Sequence, residues 1–121
     1  MAKYDHLTIF QKSYDLMIRV YKEVHNFSRE YKYSLGQKIK DVCLELLDWI
    51  IIANSEKDKK RSLLKVNQQV DRLKIYIRLC NALNIISKKK YEVLSKYIDE
   101  IGRMTGGWLK SSSGTGQNFE T

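Results

Sequence analysis

Few residues in this 121-residue chain have the types and spacing that chemistry needs. His6 and His25 are the only histidines, nineteen residues apart, and each stands more than fifteen residues from Cys43 or Cys80. Neither pairing has the spacing of a metal site or of a nucleophile with its base. Asp99 and Glu100 adjoin, but neighbouring helical residues diverge by about 100°, so they form no carboxylate pair. Asp99 is better placed for an (i, i+4) ion pair with Arg103. There is no Gly-rich phosphate loop and no GxSxG sequence. The expectation is a protein that is not an enzyme and holds neither metal nor cofactor. What remains is charge, with 22 Lys and Arg against 14 Asp and Glu, a net +8. That balance calls for an acidic partner: nucleic acid, an anionic membrane or an acidic protein surface.

The charge is unevenly placed. Residues 56–83 hold eight basic and three acidic side chains, more excess than any other segment, and begin with the cluster Lys57, Lys59, Lys60 and Arg61. On a helical wheel Lys57, Arg61, Lys65 and Arg72 fall within about 80° of one another, while Lys74 and Arg78 lie one turn apart on a second flank. Arg forks and Lys point charges along a helix suit phosphate oxygens, whose release of counterions drives binding. A solvated basic face is the plain alternative. Phosphate contacts carry no base information, so weak sequence preference is expected.

The elements that position these cations follow from what is missing. At average usage of about 5% proline, roughly six would be expected, yet the chain has none, and five of its six glycines follow residue 101. Little interrupts long helices, and a Pro/Gly-punctuated β architecture is excluded. Apolar residues recur at helical spacing four times: Phe10, Tyr14, Met17, Tyr21 and Val24; Leu35, Ile39, Val42, Leu46, Ile50 and Ala53; Leu63, Val66, Val70, Leu73, Ile77 and Cys80; Tyr91, Leu94, Ile98, Ile101, Thr105 and Trp108. Ser34 with Gln37 reads as a capping box, Ser55 with Asp58 as a second, and Ser87 as the cap of the last helix. Helices are expected at 4–26, 34–54, 56–83 and 88–110. Short connections force antiparallel neighbours, so the fold class is all-α, an up-down-up-down antiparallel four-helix bundle over residues 1–110. Residues 111–121, with five Ser or Thr and two Gly, are expected to be a flexible tail.

The setting expected is the cytosol. Cys43 and Cys80 sit inside apolar periodic segments and read as buried, reduced thiols. The first residues lack the apolar region of a signal peptide. The best apolar run, 42–53, is interrupted by Asp48 and too short to span a bilayer, so no membrane partner is expected.

Two helices carry more apolar residues than one core needs. Leu44, Leu47 and Ile51 form a second stripe on the second helix, and Ile75, Leu79 and Ala82 do so on the third. A contiguous second stripe marks a wide core stripe, a docking loop or an interface between subunits of a homo-oligomer.

The stretch 87–110, SKKKYEVLSKYIDEIGRMTGGWLK, resembles the final helix of the accessory variability determinant (Avd) proteins of diversity-generating retroelements, chiefly in Ile98-Asp-Glu-Ile-Gly-Arg-Met-Thr-Gly-Gly-Trp108. Residues 9–17, IFQKSYDLM, resemble the family's opening helix, and 35–39, LGQKI, the start of its second. These two are shared more loosely with the wider four-helix family that includes proteins encoded by ribosomal-RNA intervening sequences. The resemblance covers about residues 4–110. It implies a basic, non-enzymatic accessory protein, encoded by a bacterium or phage, that forms a barrel-like homopentamer. It also implies association with the element's reverse transcriptase and with template-repeat RNA or cDNA in mutagenic retrohoming.

The basic stripe read from the residues themselves fits that role, and Lys57, Lys60, Arg61, Lys65, Arg72, Lys74 and Arg78 are the candidate nucleic-acid or partner-binding residues. Leu44, Leu47, Ile51, Ile75 and Leu79 are the candidate oligomer interface. Gly102 and Gly106 lie four apart on one helical face, where another backbone could approach closely, and Trp108 would anchor the helix end by burying its ring. A fraying C-terminus is the alternative there. Two other functions stay open: an intervening-sequence-type bundle with an rRNA-linked role, and a structural oligomer whose charge only keeps it soluble.

Overall fold

The computed structural model describes the backbone of residues 7–117 and the side chains of 7–112. Four long helices and one short one make up this part of the chain: α1 (Thr8–His25), α2 (Arg29–Lys32), α3 (Leu35–Ser55), α4 (Lys60–Ala82) and α5 (Lys88–Gln117), with no strand among the described residues. α1 packs on α3 and α5, α3 on α4, and α4 on α5, which closes a four-helix ring. Cross-helix contacts run in opposite directions along each neighbouring pair. Lys12 meets Glu100 and Glu23 meets Lys90 across α1 and α5; Arg72 meets Glu45 and Arg61 lies over Trp49 across α3 and α4. The bundle is therefore antiparallel and up-down-up-down, as the short connections require.

Burial follows the expected stripes on three helices. Ile39, Val42, Leu46, Ile50 and Ala53 of α3 are buried, as are all six expected positions of α4, and on α5 Leu94, Ile98, Ile101 and Thr105. On α1 the stripe is displaced by one residue. Ile9, Ser13, Leu16, Val20 and Val24 face the core, while Tyr14 is exposed and Phe10, Met17 and Tyr21 are only half-buried. Ser13 is the cause: a small polar residue in the true stripe hides its periodicity, whereas the neighbouring row of large rings and Met displays the same spacing.

Helix boundaries also differ from expectation. α1 starts at Thr8 rather than 4, residues 4–6 lying outside those described. Ser34 precedes α3 but makes no capping bond; its hydroxyl donates to the Glu30 carbonyl at 2.8 Å, and Gln37 donates to Asp41. Ser55 closes α3 by donating to the Ile52 carbonyl instead of opening the next helix. α4 begins at Lys60, after a connection in which Lys59 Nζ donates to the carbonyls of Ala53 (2.8 Å), Glu56 (2.6 Å) and Asn54 (3.4 Å), satisfying oxygens that the end of α3 leaves open. Ser87 does cap α5, accepting from the Lys90 amide at 3.2 Å. The α4–α5 turn is built on Asn84, the one described non-glycine residue with positive φ (60°), and on the Ile85 amide donating back to the Cys80 carbonyl at 2.8 Å. α5 runs to Gln117, past the expected end at Lys110, because no proline stops it. The expected tail therefore overlaps this helix through 117, and its last four residues lie outside those described.

Candidate nucleic-acid and partner interface

The face of α4 opposite its buried stripe is a strip of apolar side chains between two rows of cations. Leu64, Ile75 and Leu79 are exposed along it, Ile75 by 55%. On the α3 side stand Arg61, Lys65 and Arg72. Arg61 holds its guanidinium 5.7 Å from the Trp49 ring, and Arg72 lies 3.8 Å from Glu45 while donating to Gln69 at 2.9 Å. On the α5 side stand Lys74 and Arg78, with Lys60 on the same wheel position. Lys74 lies 3.8 Å from Asp99, so Asp99 pairs across to α4 rather than along α5 to Arg103. Arg78 lines a groove of about 490 Å³ between α4 and α5 with Lys74, Ile75, Tyr91 and the carboxylates of Asp71 and Asp99.

The fold thus assembles most of the expected cations but divides them. Lys57 falls in the α3–α4 connection, off the helix and outside both rows. Lys59, part of the sequence cluster, is turned inward as a helix cap and stands 6.0 Å from the Trp108 ring. Lys57, Lys60, Lys65 and Arg78 have no ion pair among the described residues, whereas Arg72 and Lys74 each face a carboxylate. Those carboxylates, Glu45 and Asp99, were legible as charges but not as partners, because their register against α4 is set only when the helices pack.

The apolar candidates separate in the same way. Leu47 is buried within the subunit and is withdrawn from the interface set, since a residue 8% exposed has little surface left to offer a partner. Leu44 is exposed and Ile51 half-buried. Both continue the helical row begun by Lys40, whose ammonium lies 4.9 Å over the Tyr21 ring of α1. They therefore border α1, where Tyr14 and Ile18 are also exposed. Ile75 and Leu79 lie on another side of the bundle. The molecule carries two apolar faces, not one.

Inside the chain, Gly102 and Gly106 do not mark a close backbone approach. A Cβ at Gly102 would meet only Val70 at an ordinary 3.5 Å, and one at Gly106 would meet nothing within 4 Å. Both flank the α4–α5 side, where Gly102 lines a second groove with Asn67, Asp71, Lys74 and Arg103. Trp108 is half-buried against the core, but α5 continues past it to Gln117. The glycine that close packing demands is Gly36, where a Cβ would come within 2.7 Å of Val24 Cγ1 and 3.1 Å of the Tyr31 carbonyl.

Both cysteines are buried and unpaired. Burial pushes the Cys43 thiol up to about 12 and the Cys80 thiol up to about 11, so neither is a nucleophile at neutral pH. None of the described helices is long and apolar enough to cross a membrane.

Comparison with known proteins gives one family. A family model described as bAvd-like matches residues 7–112, nearly all of the described chain. A search of curated proteins returns no significant match.

Proposed function

The chain belongs to the bAvd-like family, and on that premise we propose that it is a non-enzymatic accessory protein of a diversity-generating retroelement. It binds the element's reverse transcriptase together with template-repeat RNA or cDNA in the cytoplasm, and so supports mutagenic retrohoming. Copying and miscopying belong to the polymerase; this protein contributes assembly and a positive field. The observation that carries the reading is the pair of cation rows on α4, of which Lys60, Lys65 and Arg78 have no internal ion-pair partner among the described residues. Such rows suit the spaced phosphates of a polyanion and specify no sequence.

Two apolar faces on different sides of one subunit support assembly into a closed ring, the homopentamer that the family resemblance implies. A two-fold dimer needs only one self-complementary patch, whereas a ring joins two unlike patches head to tail. A neighbour covering Ile75 and Leu79 would leave the cation rows at the rim of the contact, repeated around the ring.

The test is retention on immobilised single- and double-stranded nucleic acid. Charge reversal of Arg61, Lys65 and Arg78 should lower the slope of log affinity against log salt by about three, one for each phosphate no longer neutralised. Unaltered retention at moderate salt would refute the assignment. A reverse-transcriptase gene with paired variable and template repeats beside the coding sequence would separate this function from an rRNA-linked one.

A further inference from the structure

A second cation-lined surface lies at the other end of the subunit from the α3–α4 connection, where α1 ends, α2 turns and α3 begins. There a groove of about 300 Å³ is lined by Tyr21, Val24, His25, Lys32, Tyr33, Gln37 and Lys40. Unlike the two grooves between α4 and α5, it has no carboxylate in its lining. Tyr33 is 72% exposed, the most of any large hydrophobic side chain described. Neither its ring nor its hydroxyl has a partner among the described residues, so no intramolecular contact accounts for a tyrosine presented there. Opposite it, Lys40 rests over Tyr21 at 4.9 Å. Burial first, then Cys43 and Asp41, hold the Tyr21 hydroxyl above its usual range, and like any phenol near neutral pH it can donate. Gln37 donates its amide N–H to Asp41, which occupies one oxygen of that carboxylate and leaves the Gln37 carbonyl as an acceptor.

The arrangement is rigid where it needs to be. Gly36 lets the Val24 methyl and the Tyr31 carbonyl close against α3, and buried Phe27 pins the connection from beneath. The groove's size is at the small end of ligand cavities, about 300–1,000 Å³, and suits one monomer unit better than a helix or strand.

We propose that this groove receives one unpaired nucleotide of a single-stranded nucleic acid, its base stacked on Tyr33 and its phosphate held between Lys32 and Lys40. A flat exposed ring beside cations that no carboxylate pairs with is the combination that tracks single strands, because every base has a face to stack and every linkage a charge to neutralise. A duplex keeps its bases inside and cannot use the ring. The inference rests on the nucleic-acid part of the proposed function and assigns it a site away from α4.

Binding of the full-length protein to a labelled single-stranded RNA of about twelve nucleotides, within the span such sites cover, and to a duplex of equal length tests it. Tyr33→Ala should weaken single-strand binding about five- to 150-fold, the worth of one stacked base, and leave duplex binding within about twofold. Tyr33→Phe, which keeps the ring, should bind as wild type, and Lys32→Gln should weaken the single strand more than the duplex. Tyr33 is so exposed that these variants should fold, which identical circular dichroism melts would verify. Unchanged single-strand affinity in both Tyr33→Ala and Lys32→Gln overturns the site, as does an equal loss on both ligands. So does loss of reverse-transcriptase binding with RNA affinity intact. In each of these cases the α4 charge reversals would still reduce retention; if wild type binds no nucleic acid, the function proposed above fails and takes this site with it.

Discussion

Ser13 places a hydroxyl in the α1 stripe with no hydrogen-bond partner among the described residues. An unsatisfied buried hydroxyl costs about 1–3 kcal/mol of desolvation, and removing it leaves only a small void. Ser13→Ala should therefore raise stability by about 1 kcal/mol, read as a higher denaturation midpoint at unchanged slope. Gly36→Ala should do the opposite. Better helix propensity offers about 1 kcal/mol, but a Cβ 2.7 Å from Val24 Cγ1 and 3.1 Å from a carbonyl forces the buried contact apart, which costs about 1–3 kcal/mol. The expected net change is a loss, with the melting temperature lowered. Both thiols bring a pH dependence at the alkaline end. Their folded values of about 12 and 11 exceed the ordinary 9.0, so above pH 9 the unfolded chain gives up protons that the folded chain keeps. Stability should fall as pH rises from 9, by up to about 1.4 kcal/mol per pH unit for each thiol, until about 11 for Cys80 and about 12 for Cys43. A double Cys→Ala variant melted across that range should show a shallower decline than wild type.

At the scale of elements, the α4–α5 turn depends on Asn84 at φ 60°, a conformation that glycine adopts freely, asparagine tolerates and β-branched residues resist. Asn84→Gly should be neutral or slightly stabilising, and Asn84→Val should cost about 1–2 kcal/mol, measured by chemical denaturation. Three of the four stripes were legible because each keeps an unbroken series of apolar residues at steps of three and four, the buried Ser62 and Gln69 of α4 lying beside its row and Thr105 alone falling within that of α5. The α1 stripe was not, since Ser13 breaks it while Tyr14 and Met17 advertise the adjoining row. Caps divided similarly. Ser87 offered a hydroxyl directly before a helix and was used, but the ends of α3 are finished by Ser34 and Lys59 bonding backwards to the preceding segment. Such bonds depend on how the loop folds over, which no spacing rule records. The cation rows were legible as two flanks of one helix. That each row meets a carboxylate on a neighbouring helix was not, because Glu45 and Asp99 reach α4 only through the packing register. Nor was the Tyr33 groove, whose lining comes from three helices and the connections between them.

For the whole molecule, the two apolar faces make a prediction that a symmetric dimer does not share. Ile75→Glu with Leu79→Glu should reduce the sedimenting species to a single chain, and so should Leu44→Glu on the opposite face. Mixing the two variants should restore one intact interface and yield a dimer that grows no further, because each partner keeps only one working face. Wild type sedimenting as a single chain at micromolar concentration would remove the ring from the account. The carboxylates beside the cation rows carry a last consequence. Glu45 and Asp99 are competitors tethered to the fold: a phosphate that takes their place on Arg72 or Lys74 must first displace a carboxylate that cannot diffuse away. Arg72 and Lys74 should then add less to affinity than Lys60, Lys65 and Arg78, which have no ion pair among the described residues, and nucleic acid should exchange more readily than a net charge of +8 suggests.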